Sequence, residues 1–156
     1  MSNYDKLLSK LNELEDYFEY KDNISENVSK SNVGWQCYHI LKAINIVTKA
    51  IRDSEPINYK RSHNKYKQKS FELNSFPRGV AKAPSVVLPP EIFSEKDLIE
   101  QLNFAKLNIE GFKTLDANSN FIHHIFGQLN KEETEIFLNI HTEHHLKIIR
   151  DILKTT

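Results

Sequence analysis

Apolar residues recur at three- and four-residue steps along four stretches of the chain, and each recurrence predicts an amphipathic helix. Over residues 5–20 the stripe is Leu7, Leu8, Leu11, Leu14, Tyr17 and Phe18, with Ser2 or Asn3 placed to cap the start. Residues 21–31 are polar and rich in Asn and Ser, which predicts a loop. A second helix starts at Ser31 or Asn32 and runs to residue 53. A third opens at Ser94-Glu95-Lys96-Asp97, a capping signal, and carries Leu98, Leu102, Ala105, Ile109 and Phe112 to about residue 115. A fourth begins at Asn130 with Glu133 three places on and continues to about residue 154. Residues 116–129 read as a second loop, and no strand-like alternation of any length interrupts this all-α pattern.

Residues 54–93 hold all five prolines and show no helical period, so they read as a long irregular crossover between the second and third helices. A compact domain rarely carries so long a connection without a purpose such as a lid or a binding loop. The segment has apolar anchors in Phe71, Leu73, Phe76, Val86, Val87 and Leu88. Between Glu55 and Pro90 it has seven Lys or Arg against the two acids Glu55 and Glu72. Most of those cations read as solvated; Arg78, in Phe76-Pro77-Arg78-Gly79, suits a carboxylate because a guanidinium can bind one bidentately. Four helices of these lengths with one long crossover predict a four-helix bundle in a single domain of 156 residues.

Bulk properties narrow the function classes. Lys plus Arg equals Asp plus Glu at 21 each, so no global field favours nucleic acid or an anionic membrane. The single cysteine excludes an intrachain disulfide framework and fits a reducing compartment. No stretch reads as a signal peptide or a membrane span, so a cytoplasmic location is expected and the sequons at Asn23 and Asn27 are accidental.

The candidate chemistry lies where histidines interrupt the apolar stripes. With Phe137 at zero on a helical wheel, His141 falls at about 40° and His145 at about 80°, between Ile148 and Leu138. Both therefore point inward, and imidazoles four apart can hold one metal ion. His144, at about 340°, sits at the edge of the arc and is the weaker ligand, while Glu143 at about 240° points outward. On the second helix, with Trp35 at zero, His39 lies at about 40° and Ala43 at about 80°, so another inward histidine has a small neighbour. Cys37 is on the far side and reads as a small buried hydrophobe. Inward side chains of facing helices meet in a bundle core, so His39, His141 and His145 are expected to converge there, leaving an open position on the ion. Three imidazoles suit zinc, nickel, iron or cobalt, and the alternative is a buried polar network without metal.

Val33-Gly34-Trp35-x-x-x-His39, Arg78-Gly79-Val80-Ala81-Lys82-Ala83-Pro84, His123-x-x-Phe126-Gly127-x-Leu129 and Ile140-His141-x-x-His144-His145 together resemble the DinB-like superfamily. The likeness runs from the second helix to the C-terminus and is strongest to a bacterial branch with no assigned reaction. It implies a four-helix bundle in which His39, His141 and His145 bind a divalent metal. Trp35, Arg78, His123 and His144 would line the pocket or support the ligands. It implies a small-molecule substrate, a thiol, since some members are thiol-dependent transferases; Arg78 adds the expectation of a carboxylate on it, and the balanced charge that of no nucleic-acid or membrane partner. A homodimer stays open. The branch has proline where this chain has His124, and His123 is either a pocket residue or a loop histidine bonded to backbone. Two functions follow: a metal-dependent transferase or hydrolase, or a protein that binds a small ligand or metal without chemistry.

Overall fold

A computed structural model describes residues 1–156. The chain is mostly helical: α1 (Asn3–Glu15), α2 (Val33–Arg52), α3 (Lys65–Leu73), α4 (Glu95–Phe112) and α5 (Lys131–Lys154), with one hairpin of β1 (Asn120–His123) and β2 (Gly127–Asn130). No helix is long and apolar enough to cross a membrane. The four long helices start where the caps predict. Ser2, Ser94 and Asn130 each form a reciprocal capping box with Asp5, Asp97 and Glu133, and the Asn32 side chain accepts from Trp35 N–H. Each satisfies backbone donors that the first helical turn leaves without a partner, while the acid sits at the positive helix end.

α2 lies between α4 and α5, and α1 packs mainly on α5. The shared core takes Leu7, Leu11 and Leu14 from α1, Ile40, Leu41 and Ile44 from α2, Leu98 and Leu102 from α4, and Leu138, Leu146 and Ile149 from α5. Truncating a side chain such as the fully enclosed Leu11 costs about 2–5 kcal/mol, the lost transfer energy plus the cavity left behind. Gly34 lets the 21–32 loop close on the first turn of α2. Its N–H reaches Lys21 O at 2.8 Å, and a Cβ there would meet that same oxygen at 2.9 Å and Phe93 Cζ at 3.2 Å.

Two expectations of irregular chain are corrected. Residues 54–93 are not wholly irregular: they contain α3 and 3-10 turns at Pro56–Asn58 and Ser85–Val87. Asn64 caps α3 through Tyr66 and Lys67 N–H, and Asn74 ends it in the left-handed region at φ 52°. Its one buried residue is Lys67, whose ammonium meets Glu133 at 2.6 Å and Ser62 O at 2.8 Å, so no apolar stripe betrays it. Residues 116–129 are likewise not a plain loop. β1 and β2 pair antiparallel from Asn120↔Asn130 to His123↔Gly127, with Gly127 at φ 76° closing the turn. Helix ends also fall short: the first stops at Glu15 before a 3-10 turn at Phe18–Tyr20, and the third stops at Phe112.

Candidate metal centre

α2 and α5 are amphipathic helices held face to face, and their inward stripes bring three imidazoles together. The ring centroids of His39 and His141 are 4.9 Å apart, those of His39 and His145 4.5 Å, and those of His141 and His145 4.7 Å. One ring nitrogen from each lies within 4.8 Å of the others. The convergence expected from the wheel positions is therefore present. His39 is buried, while His141 and His145 are half-buried.

The hydrogen bonds around the rings bear on whether they suit a cation. His39 Nδ1–H donates to the carbonyl of Val87 at 2.9 Å, which leaves its Nε2 lone pair facing His141 Nε2 at 3.1 Å. His145 Nδ1 meets Gln36 Oε1 at 2.6 Å. His141 Nδ1 is buried without any partner. Either neutral tautomer of His141 then carries a cost. A proton on Nε2 leaves the Nδ1 lone pair buried and unpaired; a proton on Nδ1 leaves two Nε2 lone pairs opposed at 3.1 Å. A cation between the opposed lone pairs removes that repulsion. Two nitrogens each about 2.0–2.1 Å from one ion stand about 2.8–3.4 Å apart for angles from octahedral to tetrahedral, which brackets the His39–His141 separation of 3.1 Å. The donor set fits a divalent ion of borderline softness.

Electrostatics agree with that fit. Burial pushes the His39 imidazole below its ordinary value, partly offset by the Val87 carbonyl. Burial holds His141 and His145 well below theirs, and the neighbouring histidines add to the effect. All three rings are thus neutral at physiological pH, the state in which imidazole ligates. Aromatic rings wall the cluster: Trp35 stacks on His39 at 4.9 Å and Phe137 on His141 at 5.6 Å.

The other expected pocket residues divide. Trp35 is in the site. His144 stands beside the His145 ring at 4.9 Å but lines a separate cavity of about 50 Å³ with Ser75, Phe76, Arg78, Ile140 and Lys147. Burial and the Arg78 charge hold the His144 ring below its ordinary value. Arg78 borders that same cavity, yet its guanidinium is engaged by Asp151 at 2.7 Å. His123 is bonded to backbone: its Nδ1 accepts from Ile125 and Phe126 N–H, both at 3.0 Å, and it stacks on Phe126. It therefore staples the β1–β2 turn in which His124 stands exposed. Glu143 also lines the cavity beside His144, and its carboxylate is paired with Arg150 at 2.9 Å, which also holds Glu13. Cys37 is fully enclosed and burial pushes its thiol up, so it is a core residue, not a nucleophile.

The crossover does reach the site. Val87 contributes its carbonyl to His39, Lys42 holds Leu88 O at 2.7 Å, and Phe76 packs against Phe126, Phe137 and His144. Gln36 and the Val87 carbonyl are the groups that residue patterns missed. Gln36 was legible in principle, since it falls at about 100° on the α2 wheel beside Ala43 on the inward arc. A carbonyl from a distant segment has no such signature. The chain matches no protein-family model, no curated protein and no solved structure.

Proposed function

We propose that this chain is a divalent-metal protein of DinB-like type, with the four long helices as its bundle and His39, His141 and His145 as ligands. The observation that carries the reading is the meeting of three neutral imidazoles from two helices, with His39 and His141 nitrogens at 3.1 Å and no acid between them. A bound zinc, nickel or iron ion would supply a Lewis acid, lowering the pKa of a thiol or water and polarising a carbonyl. The protein's own groups do the rest. Val87 and Gln36 orient two of the rings, and Trp35 and Phe137 keep bulk water off their faces. Arg78, exposed and held only by Asp151, can exchange that partner for the carboxylate of a small thiol substrate. On this reading the protein is a transferase or hydrolase.

A second reading, binding without chemistry, is favoured by one observation. The carboxylate nearest the histidines in sequence on α5, Glu143, is tied to Arg150 and is not free to act as a general base. Turnover of a thiol conjugate or ester by metal-loaded protein separates the two. The metal itself is tested by titrating chelator-treated protein with zinc against a chromophoric competitor. One equivalent per chain is expected, with affinity falling at least ~100-fold in His141→Ala at unchanged helix content. Equal binding by His141→Ala would overturn the reading.

A further inference from the structure

The buried amide of Gln36 sits where nothing in the apolar packing of α2 calls for one. It is 2% exposed, three residues before His39 on the same helix face, and its Oε1 is 2.6 Å from His145 Nδ1. At its other end Nε2 donates to Ser29 Oγ at 3.4 Å, and that hydroxyl also accepts from Ser31 N–H at 3.1 Å. With the amide in this orientation, the only hydrogen bond open to His145 Nδ1 is as a donor. The ring must then carry its proton on Nδ1 and keep the Nε2 lone pair free. The reversed amide would present its NH2 to Nδ1, force the proton onto Nε2, and remove that nitrogen as a ligand.

We infer that Gln36 is a positioning residue for the metal centre: its side-chain oxygen holds His145 as the Nδ1–H tautomer with Nε2 turned to the common point. α2 thereby supplies both a ligand, His39, and the group that orients a ligand on α5. The carbonyl of Val87 does for His39 what Gln36 does for His145. His141, whose Nδ1 has no partner, is the one ring of the three with no such orienting group. An outer partner of this kind fixes ring direction and raises ligand basicity, and its loss costs roughly 10–100-fold in metal affinity.

The inference rests on the metal reading above, and the test separates the two. Long-range 1H–15N correlation spectra of the metal-free protein near pH 7.5 report the tautomer of each histidine ring. The Nδ1–H form is expected for His145, and an Nε2–H form in the unsubstituted protein overturns the inference with no variant needed. Zinc affinity is then compared in Gln36→Met, which keeps the volume and loses the acceptor, and in Gln36→Glu, which keeps the acceptor. Gln36→Met should bind ~10–100-fold more weakly with a mixed His145 tautomer, and Gln36→Glu should restore both. Equal zinc affinity in the unsubstituted protein and Gln36→Met overturns the positioning role alone. No zinc bound by the unsubstituted protein overturns the metal reading and this inference with it.

Discussion

Acid should destabilise the metal-free protein well before its carboxylates titrate. Burial is the leading reason that His123, His141 and His145 are poor bases in the fold. His123 is pushed down to about 4, with His124 adding to the effect, and the other two are held well below the ordinary value. In the unfolded chain each returns to about 6.5. A group whose folded value is depressed takes its proton first in the unfolded state. Stability is therefore full above about pH 6.5 and is lost as pH falls from there toward the folded values. For His123 the window runs from about 6.5 down to about 4. At pH 5.5 a histidine that stays neutral in the fold costs RT ln(1 + 10), about 1.4 kcal/mol. Three such rings give about 4 kcal/mol, reduced to about 3 kcal/mol because all three are only half-buried. Against a total of about 5–15 kcal/mol that is a large fraction. Protonation at His123 Nδ1 would also remove the acceptor for Ile125 and Phe126 and release the hairpin turn. Urea unfolding followed by far-ultraviolet circular dichroism, on chelator-treated protein between about pH 7.5 and 5.5, measures the change. The expected result is a loss of about 3 kcal/mol, steepest below pH 6.5. A free energy constant to within about 0.5 kcal/mol over that range would refute the reasoning, because it would mean the rings titrate normally in the fold.

Lys67→Met removes one member of a nearly enclosed ion pair and leaves Glu133 without its cation, at an expected cost of about 3–5 kcal/mol in urea unfolding. A loss below about 1 kcal/mol would show that α3 is not anchored through that contact. Arg78→Ala breaks a pair whose side chains are 44% and 38% exposed, so stability should change by less than about 1 kcal/mol. The same variant should weaken binding of a carboxylate-bearing thiol to zinc-loaded protein about 10-fold by calorimetry, a charged hydrogen bond's worth; unchanged affinity would leave Arg78 as a structural tie to Asp151 alone.

The long helices and the histidine cluster were legible because both depend on one periodicity. Leu7, Leu11 and Leu14 mark a face at helical spacing, and the same wheel that places them inward places His39, His141 and His145 inward. Caps at Ser2, Asn32, Ser94 and Asn130 needed only local chemistry, a short polar side chain before an apolar run. What escaped depends on tertiary partners. α3 buries a lysine whose counter-charge is 66 positions away on α5, so its pattern looks solvated. Strands of four residues, with Ile122 exposed and Leu129 enclosed, are too short for alternation to stand out. The Arg78–Asp151 and His39–Val87 contacts join segments with no shared pattern, and only the folded chain brings them together.

Anomalous X-ray scattering from crystals grown with zinc, collected on either side of the metal edge, tests the central claim most directly. One peak per chain is expected, about 2 Å from the Nε2 atoms of His39, His141 and His145. A peak elsewhere, or none between these rings at full zinc saturation, would contradict it.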